Sequence, residues 1–124
     1  MDPITEGRSA GDFLLFEEDA HYSREEITIA AGADLEPGTV LGRITASGKY
    51  VACDHTATDG SEVARAVLLT PARAAQADVD DAIAIARHAR VRRAGLVFHE
   101  SFSTTAERDG AIAELKAEGI LTDV

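Results

Sequence analysis

The stretch from Ile27 to Leu69 constrains the fold most strongly, because turn residues divide it into short apolar segments. Pro37-Gly38 predicts a tight turn, since proline fixes φ at one corner and glycine accepts the positive φ of the next. Ser47-Gly48 and Asp59-Gly60 predict two further turns. The predicted strands between them are Ile27–Ala30, Val40–Ile44, Lys49–Ala52 and Val63–Leu69. Short strands with frequent turns indicate a compact β-rich unit.

The last of these strands is the most apolar, and its alternation predicts which side chains enter the core. Val67 and Leu69 are two residues apart and therefore point to the same face of the strand. We expect both to be buried, with Leu41 or Ile44 nearby.

Size and composition set limits on the protein class. The chain has 124 residues and 45% hydrophobic residues, which is the size and composition of one globular domain. Its net charge of -10 repels phosphate backbones and anionic lipid surfaces, and aromatic residues make up only 5%. We therefore expect no nucleic-acid and no membrane partner. The single cysteine, Cys53, excludes an intrachain disulfide.

The first 26 residues are predicted to form a flexible arm, since they hold eight acids and only two bases. Met1–Asp12 contains too few large apolar residues to repay the entropy of ordering. The apolar tetrapeptide Phe13-Leu14-Leu15-Phe16 follows and allows two interpretations. It folds back onto the core of its own chain, or it adds to a partner's sheet or groove by strand addition.

A helix is predicted near the C-terminus. Thr104 and Glu107 have the spacing of a capping box, and Ala111, Ile112 and Leu115 form an apolar stripe at helical spacing. Gly119 stands where the left-handed residue after a helix belongs, so Ile120 should fold back toward Leu115.

Two segments before this helix are harder to assign. Asp81–Val91 fits either a helix face or an alternating strand, although its alanines favour helix. Leu96–Phe98 is a short apolar run that fits a strand or a turn feeding the core.

Catalytic and metal-binding patterns are weak in this sequence. Cys53, Asp54 and His55 are adjacent, but neighbours along a strand point to opposite faces, so an inert cysteine is expected. The four histidines lack metal-ligand spacing, and we expect no catalytic site, no metal and no cofactor. The basic cluster consists of Arg87, Arg90, Arg92 and Arg93. It fits a solvated face or a docking site for another subunit's acids.

The order of these features resembles the head decoration proteins of lambda-type tailed phages. The resemblance rests on Pro37-Gly38, the strand Val40–Ile44, the strand that ends at Asp54, and Asp59-Gly60 before Val63–Leu69. The later Leu96–Phe98, the C-terminal helix and Gly119-Ile120 are also similar, so that residues 27 to 121 are covered.

This resemblance implies a fold and a role. The fold is α+β and mostly β, a small β-tulip-like domain over residues 27–124 with a flexible N-terminal arm over residues 1–26. The resemblance also favours a strand for Ala82–Val91, against the helix preference of alanine. The implied role is a non-enzymatic virion protein, made in the bacterial host cytoplasm, that stabilises the outer surface of the expanded head against internal DNA pressure. It would bind as a homotrimer at three-fold and quasi-three-fold sites.

The implied partner is the major capsid protein, and the arm would contact it and extend one of its sheets. The residues proposed for this contact are Phe13, Leu14, Leu15 and Phe16.

One alternative is a β-domain binding or carrier module, either lipoyl-like or antifreeze-like. A lipoyl-type carrier needs a modifiable lysine at an exposed hairpin tip, and Lys49 follows the Ser47-Gly48 turn. The residues flanking Lys49 do not match that pattern.

Overall fold

The computed structural model describes residues 13–18 and 20–123, which form ten short strands, one long helix and two brief helical turns. The strands are β1 (Leu14–Glu17), β2 (Arg24–Ile29), β3 (Asp34–Leu35), β4 (Val40–Arg43), β5 (Tyr50–Ala52), β6 (Ala64–Leu68), β7 (Ala72–Arg73), β8 (Val79–Ile85), β9 (Ala89–Arg92) and β10 (Ile120–Asp123). The helices are α1 (Ala20–Ser23) and α2 (Thr105–Ala117), with a 3-10 turn at Arg93–Gly95. The predicted mostly-β fold with a C-terminal helix is confirmed. Met1–Asp12, predicted to be flexible, lies outside the described residues.

Five strands close into a barrel in the order β2-β5-β4-β6-β8. Ile29, Leu41 and Leu68 lie on its inner side and are buried together with Ala82 and Ala84. The barrel is narrow, and alanines on β6 and β8 leave room for these larger aliphatic side chains. Closure also pairs both sides of every barrel strand, so the barrel has no open edge.

A second core fills the space between the barrel and the rest of the chain. Val67, Leu69 and Ile85 contribute to it from the barrel's outer side, and Leu115 from α2 and Val91 from β9 meet them. Strand β6 is therefore buried on both faces, which explains its nearly continuous apolar sequence.

The predicted burial of Val67 and Leu69 is confirmed. Of the two neighbours predicted for them, Leu41 is wrong, and Ile44 is not among the residues of their core. Val40 lies opposite Val67 in the β4–β6 ladder, whereas Leu41 lies opposite Ala66. Because adjacent residues alternate across a strand, Leu41 points into the barrel, away from Val67.

A three-stranded sheet with the order β1-β9-β10 lies outside the barrel. Strand β1 runs antiparallel to β9, and β10 runs parallel to it. The ambiguous segment Asp81–Val91 thus becomes β8 and β9, joined by a turn in which His88 adopts φ 47°. Ala82 and Ala84 enter one core while Ile83 and Ile85 face the other, and only a period of two allows this. Tertiary packing therefore overrides the helix preference of alanine.

The helix signals in the sequence are confirmed in detail. The Thr104 hydroxyl accepts a hydrogen bond from the Glu107 N–H, and the Glu107 carboxylate accepts one from the Thr104 N–H. Gly119 adopts φ 87°, and its N–H donates to the Lys116 carbonyl oxygen at 2.9 Å. Ile120 then enters the same buried core as Leu115. The run Leu96–Phe98 forms an irregular segment with a single parallel bridge between Val97 and Thr39.

Gly42 gives a prediction about the barrel wall. A Cβ built on Gly42 would lie 2.1 Å from the Ser61 carbonyl oxygen, and the nearby Ser61 C and Cα are also backbone atoms that cannot rotate away. We expect Gly42→Ala to destabilise the protein by about 3 kcal/mol, the upper part of the usual range for overpacking. The matched control is Gly110→Ala on α2, where no atom lies within 4 Å of the added methyl. That change should stabilise by about 0.5–1 kcal/mol, and urea unfolding of both variants distinguishes the two effects.

Candidate functional site

The predicted contact segment Phe13–Phe16 forms the start of the outer sheet, and its four side chains do not share one environment. Phe13 is fully buried in the second core, and Leu14 packs against that core. Leu15 and Phe16 are exposed, Phe16 by 59%. The alternative of packing onto the chain's own core therefore holds for Phe13 and Leu14. Leu15 and Phe16 are the two members that a partner can reach.

Backbone hydrogen bonds hold this segment against β9. The Arg92 N–H donates to the Phe13 carbonyl oxygen at 2.7 Å, and the Glu18 N–H donates to the His88 carbonyl oxygen at 3.1 Å. The register shifts between Leu14 and Phe16, and this irregularity breaks the simple alternation of side chains. Because β1 and β10 flank β9, each has one edge that pairs with no other strand in residues 13–18 and 20–123.

The outer face of this sheet carries a row of three side chains, of which the sequence singled out Phe16 and Arg90 but not Leu121. Phe16 on β1 lies opposite Arg90 on β9, and Arg90 lies opposite Leu121 on β10. A cavity of about 210 Å³ opens between Phe16 and Leu121. Leu121 was missed because nothing in the local sequence shows that the residues after Gly119 return to a sheet. Its only signal is its alternation with the buried Ile120.

Three of the four arginines in the predicted basic cluster form ion pairs with acids of the same chain. Arg90 pairs with Asp123 at 3.0 Å and Arg93 with Asp109 at 2.6 Å. Arg87 pairs with Glu25 at 2.5 Å and also donates to the Tyr22 carbonyl oxygen. Arg92 has no side-chain hydrogen bond or ion pair with another described residue. Exposed ion pairs contribute little to stability, so these contacts mainly orient the side chains.

The segment from Cys53 to His55 lacks the geometry of an activated nucleophile. Cys53 is fully buried, and burial, followed by the charges of Glu114, Asp54 and Glu62, raises the pKa of its thiol to about 12. The Asp54 carboxylate instead accepts hydrogen bonds from the Thr56 hydroxyl and N–H, which lower its pKa. His55 faces Glu107, with 3.4 Å between its Nε2 and the carboxylate.

Cys53 gives a direct chemical prediction. Burial and a raised pKa leave almost no thiolate at pH 8, so iodoacetamide should not modify the folded protein over an hour. In 6 M guanidinium chloride the same reagent should modify Cys53 fully, and intact mass measures both results. Rapid modification of the folded protein would contradict the buried position.

Lys49 is not a free hairpin-tip lysine. Its ammonium donates to the Asp78 carboxylate at 2.5 Å, and this hydrogen bond raises the lysine pKa and lowers that of Asp78. A charged, ion-paired lysine is a poor acceptor for covalent modification. The geometry therefore does not favour the carrier interpretation.

Residues 13–18 and 20–123 give little support for a metal site or for a membrane-spanning helix. No group of three or more histidine, cysteine, aspartate or glutamate side chains within that part is arranged to hold a metal ion. The His99 Nδ1 instead accepts a hydrogen bond from the Ser101 N–H at 3.1 Å. Among the described helices, none combines the length and the apolar character that crossing a membrane requires.

Comparison with known protein families places these features together. The bacteriophage lambda head decoration protein D family matches residues 3–120 of this chain, which is nearly its whole length. A comparison with individual curated proteins gave no match. The match includes the barrel, strands β1 and β9 of the outer sheet and the whole of α2, and it ends at Ile120, the first residue of β10. The chain therefore belongs to the bacteriophage lambda head decoration protein D family, whose members are structural proteins of the phage capsid.

Proposed function

We propose that this protein binds as a homotrimer to the outer surface of the expanded phage head, at three-fold and quasi-three-fold sites. Its partner there is the major capsid protein, and its effect is to stabilise the shell against the pressure of the packaged DNA. The family match over residues 3–120 carries this proposal, because a capsid decoration role follows from membership. The trimeric state, the partner and the outer location are the proposed parts.

The segment Phe13–Phe16 is the proposed contact with the capsid protein. Leu15 and Phe16 are exposed on β1, and one edge of β1 has no partner among the described strands. An open edge can pair with a strand of the capsid protein through main-chain hydrogen bonds, while exposed side chains supply the specificity. Phe13 and Leu14 act indirectly, because their packing in the core holds the strand in place.

The arm–domain boundary at residues 26 and 27 is part of the same proposal. In the described part of the arm, β1 and the first half of β2 already belong to sheets. Residues 1–12 lie outside the described residues. Deleting them should leave the melting temperature close to that of the full-length protein, because the buried Phe13 and strands β1 and β2 remain.

Co-sedimentation with purified heads of the phage that encodes this protein tests the proposed function. Heads that lack the decoration protein are prepared in expanded and unexpanded forms and mixed with the protein. We expect stoichiometric binding to expanded heads only, together with a higher temperature of DNA release. Electron cryomicroscopy of decorated heads should show density with three-fold symmetry. Two-fold density, or equal binding to both head forms, would contradict the proposal.

A further inference from the structure

Two Asp-Gly pairs, Asp59-Gly60 and Asp109-Gly110, expose this chain to a spontaneous backbone reaction. The glycine nitrogen attacks the aspartate Cγ and loses its proton, a water molecule leaves, and a five-membered imide forms. Water then adds to either imide carbonyl and gives aspartate or isoaspartate, in which the main chain runs through the side-chain carboxyl carbon. Glycine favours ring closure because it has no Cβ and leaves the backbone free to turn. The chain contains no asparagine, so the faster route from an amide to the same imide is absent.

Asp59-Gly60 lies in the loop between β5 and β6, and the fold requires glycine at its second position. A Cβ on Gly60 would lie 2.2 Å from the Thr45 Oγ1 and 2.9 Å from the Arg43 carbonyl oxygen. A larger residue would therefore push the loop away from the end of β4. Position 60 thus keeps the residue type that makes imide formation easiest.

Hydrogen bonds fix the peptide group that joins Asp59 to Gly60. The Thr45 N–H donates to the Asp59 carbonyl oxygen at 2.9 Å. On the other side of the same peptide plane, the Gly60 N–H donates to the Glu62 carboxylate at 2.9 Å. Ring closure needs this plane to rotate until the nitrogen points at the aspartate Cγ. Rotation would break both hydrogen bonds, so the folded loop resists it.

The carboxyl group that would be attacked is held as well. The Asp59 carboxylate accepts a hydrogen bond from the Ser61 hydroxyl at 2.6 Å and another from the Ser61 N–H at 3.0 Å. The hydroxyl bond and then the N–H bond lower the pKa of Asp59, because both stabilise the ionised form. The ionised form reacts more slowly, since water is a better leaving group than hydroxide. Ser61 is only 2% exposed, which keeps its hydroxyl in place.

Asp109-Gly110 is held in a different way. It lies inside α2, where the Gly110 N–H belongs to the helical hydrogen-bond ladder. The Asp109 carboxylate pairs with Arg93 at 2.6 Å. This protection depends on the helix and not on the loop that contains Ser61 and Glu62. The second pair is therefore an internal reference within each molecule.

We propose that Asp59-Gly60 is a latent isomerisation site, which the hydrogen bonds to Glu62 and Ser61 keep closed in the folded protein. Isomerisation would add one main-chain carbon to a loop that packs tightly on Thr45, so the altered chain could not keep Gly60 in its place. A capsid protein is not replaced after the particle has left its host, and slow backbone damage would accumulate there. The inference concerns the chemical lifetime of the chain and does not depend on how the protein contacts the capsid.

Peptide mapping of the full-length protein after long incubation at pH 7 tests this proposal. Trypsin releases residues 50–65, which contain Asp59-Gly60, separately from residues 109–116, which begin with Asp109-Gly110. Chromatography separates the isoaspartate forms, and electron-transfer fragmentation locates the altered residue. We expect isoaspartate at residue 59 to form about tenfold or more slowly in the folded protein than in guanidinium chloride, because reaction requires local opening of the loop.

Variants of the two holding residues identify the cause of the protection. Glu62→Ala removes the acceptor for the Gly60 N–H, whereas Glu62→Gln is the matched control because its amide oxygen still accepts. We expect Glu62→Ala to isomerise about fivefold faster at residue 59, the factor by which losing one ordinary hydrogen bond shifts an equilibrium. Glu62→Gln should stay close to the unaltered protein. Ser61→Ala should also react faster, since the carboxylate loses its hydroxyl partner.

Isomerisation at residue 109 should be the same in all these variants, which verifies that each remains folded. Equal rates at residue 59 in the folded and unfolded protein would overturn the proposal. A slower reaction in Glu62→Ala would also overturn it, because the Glu62 carboxylate would then act as a base that removes the Gly60 proton. If a variant reacts faster at residue 109 as well, it has lost its fold, and the folded and unfolded rates of the unaltered protein decide the question.

Discussion

Replacement of Phe13 by alanine should destabilise the protein by about 3–5 kcal/mol, the range observed for buried phenylalanines. Phe13 is fully buried and belongs to the same core as Val91, Leu115 and Ile120. Its removal leaves a void at the point where β1, α2 and β10 meet, and the neighbouring elements are too constrained by their hydrogen bonds to close it. Urea unfolding followed by circular dichroism measures the loss.

Phe16→Ala is the matched control, because it makes the same change three residues further along the chain. Phe16 is 59% exposed, so its loss should change the free energy of unfolding by less than about 0.5 kcal/mol. The two variants should therefore differ several-fold in stability. Equal stability losses would mean that β1 is placed in the wrong register against β9. If the capsid-contact proposal holds, Phe16→Ala should weaken binding to heads while leaving the fold intact.

Leu69→Ala should destabilise the protein by about 2–5 kcal/mol. Leu69 follows β6 and is buried in the second core, on the same side as Val67. Its N–H also donates to the Ile83 carbonyl oxygen at 2.8 Å, so the backbone cannot shift to fill the vacated space. Leu121→Ala is the control, since that leucine is 40% exposed. A loss below about 0.5 kcal/mol for Leu69→Ala would place its side chain at the surface.

Features set by local chemistry were predictable from the sequence. The Pro37-Gly38 turn was predicted from the conformations open to these two residues, and Gly38 adopts φ 96°. The capping box of α2 and the left-handed Gly119 were predicted in the same way. In each case the residues that determine the geometry lie within a few positions of one another, so no knowledge of the tertiary fold was needed.

Features set by distant contacts were not predictable from residue patterns. The segment Asp81–Val91 became two strands because its two faces enter two different cores, and the alanine content alone pointed the other way. Strand β2 begins at Arg24, three residues before the predicted start, since its pairing with β8 continues through Glu25 and Glu26. Both glutamates are exposed, and their charges gave no strand signal.

In the candidate site, too, the sequence showed the local features but not those that depend on distant contacts. The sequence identified Phe13–Phe16 as unusual, but the irregular register in β1 determines that Phe13 is buried and Phe16 exposed. The participation of Arg90 and Leu121 depends on strands that are about thirty positions apart in the chain. The residue patterns alone did not indicate that this protein acts on a capsid. Only the resemblance to a known family did so.

The pairing of both β1 and β10 with β9 has a consequence for biosynthesis. Strand β1 is translated before its partner β9, which follows more than seventy residues later, and β10 comes about thirty residues after β9. Core residues on α2 and β10 are needed to cover Phe13 and Val91, so the nascent chain cannot complete its second core until β10 has been made. The barrel strands, which all precede β9, can close earlier. The barrel should therefore form first during synthesis, and the sheet that carries the proposed capsid contact should assemble last.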